Sequence, residues 1–354
     1  MKYSRLIAGL FSVALVAAAC QPSGSSASPS ASASSEDSGA AVEWPDNVVL
    51  GLVPSRESNT LVENAKPLTD ALATALSEAA GKDVTVEGFV PTDYTALVEA
   101  MGTGQADIGA FGPFALLQAR DRSGAEIILQ SVRNGGATYH TQWFTNNPDK
   151  YCSDEPVENE RTVSDAPVTF LNCNGTDHPA DEPATGPAGE DAIGLIDAGT
   201  TVSFVEETSA SGYIFPALQL IQAGNVDPLS DDDITRLFAG GHDASVLAVL
   251  NGDAEVGVSF DDARSIVVGD NPDVATDVVV FAYSPEIPND GWAVRGDLPT
   301  EVKEAITQAL LDYAASDEGK TVLDSIYEID DLVPADQAAF DVVQQAAEQV
   351  TGGQ

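Results

Sequence analysis

From residue 47 onward, short apolar runs take turns with longer stretches in which apolar positions recur every three to four residues. The first pattern marks a buried strand and the second an amphipathic helix. It predicts strands over 47–53, 83–89 and 106–111, interleaved with helices over 61–80, 94–102 and 114–123. A second series places strands over 135–145, 201–205, 255–260, 278–283 and 291–294. Helices are expected over 212–223, 231–238, 244–251, 301–316, 319–326 and 334–350. Such alternation implies an α/β class, with mostly parallel sheets flanked by helices. Between 147 and 193 the alternation gives way to Pro, Asp, Glu, Asn and Thr, which reads as an insertion. No internal repeat is visible.

The N-terminus departs from this pattern. Lys2 and Arg5 lead into an apolar run that ends in small residues before Cys20, the layout of a secretory leader over 1–19. The run is shorter than the roughly 20 residues that span a bilayer. The segment Leu15-Val16-Ala17-Ala18-Ala19-Cys20 resembles a bacterial lipobox. That resemblance implies cleavage before Cys20 and its acylation, a lipid anchor on the extracytoplasmic face of the cell membrane. Residues 20–43 are dominated by Ser, Ala, Pro, Gly and acid, too poor in apolar surface to fold, and read as a tether. The remaining 44–354 exceeds one comfortable core and divides into two lobes. Lobe 1 is expected to comprise 44–141 and 287–354, and lobe 2 to comprise 142–286 with the insertion. A cleft between lobes is a favoured ligand site.

Charge narrows the partners. The chain carries 56 acidic and 15 basic residues, a formal −41, and loss of a leader holding Lys2 and Arg5 takes this to −43. Nucleic acid is excluded as a partner. A salty or acidic habitat fits, because salt shortens the range of self-repulsion. So few cations also imply that any bound anion is held by backbone N–H groups, hydroxyls and histidine. After Cys20, only Cys152 and Cys173 remain, and in an oxidising environment a disulfide between them is expected. His140, His178 and His242 are far apart in sequence, and neither cysteine sits in a nucleophile motif. No metal site, no cofactor and no enzyme are expected.

Hydroxyl residues gather at Thr208-Ser209-Ala210-Ser211-Gly212-Tyr213, where the strand over 201–205 turns toward the next helix. A helix start offers unpaired N–H groups and a positive dipole end, and Ser or Thr adds hydroxyl donors. An ordinary Ser cap fits the same residues. The run is followed by Phe238-Ala-Gly-Gly-His242-Asp243-Ala and Leu250-Asn-Gly-Asp-Ala-Glu-Val-Gly257. Together these resemble the phosphate/phosphite/phosphonate substrate-binding family of ABC transporters. Other similar segments stand in the same order: Asp93-Tyr94, Gly104 through Pro113, Gly135-Gly-Ala-Thr138-Tyr139-His140, Phe260-Asp-Asp262-Ala-Arg264 and Ile287-Pro-Asn-Asp290. The similarity covers about 48–330 apart from the insertion.

The resemblance implies a two-lobed periplasmic-binding-protein fold of type II, working as a monomer that delivers its solute to ABC permease subunits. It implies that phosphonyl oxygens are held by Ser209, Ala210, Ser211 and Gly212, by Tyr94 and Tyr139, and by His242, with Asp243 capping its helix. Aminophosphonate-binding relatives can carry threonine where this chain has Ala210, so one hydroxyl donor is missing. Asp262 and Asp290 fall where such relatives hold the ligand's ammonium group. The ligand expected is therefore a phosphonate, leaning to an aminoalkylphosphonate such as 2-aminoethylphosphonate. Phosphite, phosphate or another solute on the same fold is the alternative, and a phosphonate-processing enzyme ranks behind.

Overall fold

The computed structural model describes residues 42–164, 166–176 and 189–352. The leader, Cys20, His178 and all but the last two residues of the tether lie outside the described residues.

The chain begins with β1 (Asn47–Leu52), α1 (Ser58–Ala80), β2 (Thr85–Phe89), α2 (Tyr94–Gly102), β3 (Ile108–Phe111), α3 (Pro113–Ser123) and β4 (Glu126–Val132). It crosses through β5 (Thr138–Tyr139) into β6 (Thr141–Thr145), α4 (Pro148–Tyr151), β7 (Val157–Val163), β8 (Ala166–Asn172), α5 (Gly189–Ile193) and β9 (Thr201–Phe204). A wide helical turn, Ala210–Ile214, leads into α6 (Phe215–Ala223), β10 (Thr235–Phe238), α7 (His242–Leu250) and β11 (Val256–Phe260). Next come α8 (Arg264–Val267), α9 (Val274–Asp277), β12 (Val279–Tyr283) and the returning β13 (Ile287–Pro288). The chain ends with β14 (Gly291–Val294), α10 (Thr300–Ala314), α11 (Asp317–Tyr327), β15 (Asp331–Pro334) and α12 (Asp341–Thr351).

Two sheets result. The first has the order β15-β4-β14-β3-β1-β2 and the second β10-β9-β11-β6-β12-β8-β7. In the first, β2, β1 and β3 run parallel; in the second, β10, β9 and β11 do. The two crossing segments pair with each other, Tyr139 of β5 opposite Ile287 of β13. Strands β3 and β12 are buried along their whole length, as interior strands of sheets covered on both faces are. Close helix packing depends on Gly51, where a Cβ would stand 2.1 Å from Leu97 Cδ1. That contact seats α2, and with it Tyr94, against β1. Among the described residues no helix is long and apolar enough to cross a membrane.

Some elements differ from the sequence pattern. Residues 235–238, expected to end a helix, form β10 and pair in parallel with Thr201–Phe204. Pairing along a sheet edge outweighs a weak helical pattern in so short a segment. The strand expected over 135–145 is broken into β5 and β6, after a tight turn in which Arg133 and Gly136 bridge. Strand β4 has no counterpart among the elements predicted from the sequence. Part of the insertion is regular: β7 and β8 form a hairpin that extends the second sheet beyond β12. A disulfide joins Cys152 to Cys173 at the hairpin's base, with Cα atoms 5.0 Å apart.

Candidate ligand-binding site

The helix that follows β9 does not start as an ordinary α-turn. Ser209 caps it, its Oγ accepting the Gly212 N–H at 3.0 Å. The Ser209 carbonyl accepts the N–H of Ile214, five residues on, at 3.1 Å, so the first turn is wider than an α-turn. Gly212 is needed for this, since a Cβ there would lie 2.5 Å from Val205. The Ala210 N–H, at the open start of the turn, has no partner among the described residues. Ser211 turns its hydroxyl and amide toward the phenol of Tyr139. Ser209, Ala210 and Ser211 are buried, yet all three line a cavity of about 310 Å³. Converging N–H and O–H donors at a helix start suit an oxyanion.

The cavity is walled by loops at the carboxyl ends of parallel strands from both sheets, the usual ligand position in open α/β sheets. From the first sheet, Tyr94 starts α2, whose N-cap Asp93 accepts the Ala96 N–H at 2.7 Å. Burial raises the Tyr94 phenol well above its ordinary pKa, and Glu206 and Asp290 add to the shift, so it stays a donor. Burial raises Tyr139 likewise, with Asp290 adding to it and Ser211 opposing.

From the second sheet, His242 donates its backbone N–H to the Ser55 carbonyl at 3.0 Å, tying α7 to the loop after β1. Its ring Nδ1 lies 2.8 Å from Ser259 Oγ. Burial, reinforced by Arg56 and Arg133, holds its pKa down to about 3, so the ring is neutral. A Ser259 hydroxyl donated to Nδ1 would leave the ring proton on Nε2 as a donor. Asp243 is not the cap expected; Gly241 occupies that position, and the Asp243 carboxylate accepts the Ala244 N–H at 2.8 Å.

Three arginines also line the cavity, contrary to the expectation that so acidic a chain would surround an anion without cations. Each has a carboxylate partner. Arg133 Nη2 lies 2.5 Å from Asp290, Arg161 Nη2 lies 3.0 Å from Asp261, and Arg56 Nη2 lies 3.3 Å from Glu328. Arg56 also stands over the Phe260 ring, 5.9 Å from its centroid, while its buried Nε has no hydrogen-bond partner among the described residues.

Residues 50–340 match the model of a family described as ABC transporter, phosphonate, periplasmic substrate-binding protein. The chain belongs to that family. It is 31% identical over 257 residues to Phosphate-import protein PhnD of Mycolicibacterium smegmatis, covering 70% of this chain and 63% of that one. It is 22% identical over 265 residues to the phosphonates-binding periplasmic protein of Escherichia coli, covering 75% and 66%. The match thus spans just under two thirds of the length of either relative. Among solved structures, PhnD1 of Prochlorococcus marinus in complex with methylphosphonate has a TM-score of 0.65 at 17% identity, covering 86% of this chain and 98% of that one. A binding protein component of a phosphonate ABC transporter from Pseudomonas aeruginosa also scores 0.65, at 20% identity, with 86% of each chain covered. These likenesses are of fold, the two-lobed periplasmic-binding-protein architecture expected from the sequence.

In this phosphonate-binding family member, Tyr94, Tyr139, Ser209, Ala210, Ser211, His242 and Asp290 come together around the cavity. Gly212 does not line it: its N–H is taken by Ser209, and the side where a Cβ would stand is filled by Val205. Asp262 does not line it either. It faces away and is held by the fully buried Arg264, with Nε at 3.0 Å and Nη2 at 2.8 Å. Burial alone would raise the Asp262 pKa, but Arg264 overrides it and holds the group below the carboxylate range. Its neighbour Asp261 lines the cavity instead, and burial raises its pKa. Arg56, Arg133, Arg161 and Asp261 are among the cavity residues the sequence reading missed. Three of them carried a signal in their position: Arg56 and Arg133 stand just past the carboxyl ends of β1 and β4, and Asp261 just past that of β11, whereas Arg161 lies within β7.

Proposed function

We propose that this chain captures a small phosphorus oxyanion, a phosphonate in the first instance, outside the cell and passes it to the permease of an ABC importer. The observation that carries this reading is the start of the helix at Ser209–Ser211, where Ala210, whose N–H has no partner among the described residues, lines the same cavity as Tyr94, Tyr139 and neutral His242. Donors of this kind match the three oxygens of a phosphonyl group, and the cavity draws its walls from both sheets, as capture by closure requires. The family match and the names of the relatives support the same class of ligand. Acylation at Cys20 would hold the protein at the extracytoplasmic face of the membrane, with 20–43 as the tether. Turnover is not part of this reading.

The aminoalkylphosphonate expectation rested on Asp262 and Asp290, and of these only Asp290 lines the cavity. Asp262 is spent on Arg264, and Asp290 is paired with Arg133. Inorganic phosphate is the second reading, favoured by the phosphate-import relative and by carboxylates in the cavity that can accept from a protonated phosphate oxygen.

Calorimetric titration in a phosphate-free buffer tests this with methylphosphonate, 2-aminoethylphosphonate, phosphite and phosphate. Saturable binding of at least one is expected. Heat changes indistinguishable from dilution for all four would overturn the assignment.

A further inference from the structure

Arg161 reaches the cavity from the stretch where the strand and helix alternation fails. It lies on β7, the outermost strand of the second sheet, whose residues alternate half-buried and exposed with Arg161 on the half-buried side. The hairpin that carries it is fixed by several ties. The buried Arg264 donates to the Leu171 carbonyl at 2.8 Å and to Asn172 Oδ1 at 2.9 Å, both on β8. The Cys173 N–H donates to the Val280 carbonyl at 2.7 Å, and the disulfide closes the hairpin's base. Arg161 is therefore delivered to the cavity wall by a braced element and not by a loose loop.

Its main partner there is Asp261. Arg161 Nη2 lies 3.0 Å from Asp261 Oδ1, and its Nε lies 3.5 Å from Asp262 Oδ2. Asp262 is already met by two bonds from Arg264, so the guanidinium of Arg161 serves the carboxylate that faces the cavity. Gln142 Nε2 adds a third-party bond to the same oxygen at 3.2 Å. The other cavity acids follow the same arrangement: Asp290 is held by Arg133, and Glu328 by Arg56. Glu286 is exposed at the rim, where an ion pair with a hydrated ammonium contributes little.

We propose that Arg161 is a specificity-determining residue: by occupying Asp261 it removes the carboxylate that would receive a ligand's ammonium, so that the cavity selects phosphorus oxyanions without an amine. This rests on the reading of the cavity as an oxyanion site. An aminoalkyl ligand entering the cavity meets a guanidinium where it needs a free carboxylate, and the like charges repel. To hold the amine, Asp261 would have to give up a largely buried partner, which is costly because the released charge stays desolvated. A methyl group or a bare oxygen makes no such demand.

The test compares methylphosphonate with 2-aminoethylphosphonate by calorimetry on the full chain and on three variants. Wild type is expected to favour methylphosphonate. Arg161→Met, which keeps the aliphatic stem and frees Asp261, is expected to shift the affinity ratio toward 2-aminoethylphosphonate by about tenfold or more, the scale of one charge-assisted hydrogen bond. Arg161→Lys is expected to keep the wild-type preference. The double variant Arg161→Met with Asp261→Asn leaves no unpaired charge and is expected to show no gain for the amine, a result that loosening of the hairpin alone would not give. A ratio unchanged in Arg161→Met, or a wild type that already prefers 2-aminoethylphosphonate, overturns the proposal while leaving the oxyanion site standing. Wild type that binds neither ligand, nor phosphite nor phosphate, overturns the oxyanion site and this inference together. If Arg161→Met does not fold, the wild-type preference and the double variant still decide.

Discussion

The carboxylate of Glu206 accepts the backbone N–H of Tyr94 at 3.0 Å, so the loop that leads out of β9 in the second sheet binds the first residue of α2 on the first. It joins the two lobes at the edge of the ligand cavity. Burial raises the Glu206 pKa from 4.5 to about 7; the Tyr94 N–H opposes the shift and Asp93 adds to it. Between those two values the folded protein keeps a proton that the unfolded chain has lost, so this group's contribution to stability declines as pH rises from about 4.5 to 7. Glu206→Gln is expected to abolish that decline in the thermal midpoint. A variant whose midpoint tracks wild type across the window would show that Glu206 is not the titrating group.

His242 acts with the opposite sign. Its folded pKa of about 3 lies below the ordinary 6.5, so as pH falls through this range the unfolded chain takes up a proton that the buried ring refuses. Stability from this group is present above pH 6.5 and is lost toward pH 3. The difference between wild type and His242→Gln in chemical denaturation, taken at each pH, is expected to shrink on acidification. Using differences separates it from Glu206.

Ser209→Ala removes both a helix cap and a hydroxyl in the cavity. Ligand affinity is expected to fall by about 1–3 kcal/mol, the scale of a charge-assisted hydrogen bond, and stability by about 1 kcal/mol for the lost cap. His242→Ala should weaken binding on the same scale. Unchanged dissociation constants in both, measured by calorimetry, would refute the cradle.

Gly212→Ala should be harmful without touching the ligand. The added methyl would stand 2.5 Å from Val205 and 2.8 Å from Ser209 Oγ. A loss of about 1–3 kcal/mol in urea unfolding is expected for such overpacking.

Asp262→Ala is a stability mutant in this structure, not a specificity mutant. It leaves the fully buried Arg264 guanidinium without its carboxylate, a change that costs about 3–5 kcal/mol in comparable buried pairs. Loss of folded protein in a denaturation assay, with no ligand preference to measure, is the expected outcome.

The sequence made the architecture legible because apolar periodicity reports burial directly: α2 runs over the expected 94–102, and β1, β9, β11 and β12 lie within their expected ranges. It also brought seven residues to the cavity through motif order. It failed where a single position decides direction. Asp261 and Asp262 are adjacent in the turn just past β11, yet one lines the cavity and the other is bound by the buried Arg264, so a shift of one residue exchanges the cavity acid for the buried one. It failed again where charge is set by three-dimensional pairing. Arg56, Arg133 and Arg161 lie far apart in an acidic chain, and nothing local shows that each meets a carboxylate across the cavity.

The Cys152–Cys173 bond closes a span of 21 residues around the hairpin that bears Arg161. A loop of that size owes about 3 kcal/mol of order to its crosslink. The wall of the cavity that bears Arg161 thus has a redox history: one of the ties on its hairpin forms only after the chain has met an oxidant. Protein made in a reducing cytoplasm would carry the same residues with that wall held by its hydrogen bonds but without its crosslink, so thiol titration belongs ahead of any comparison of ligand preference between preparations.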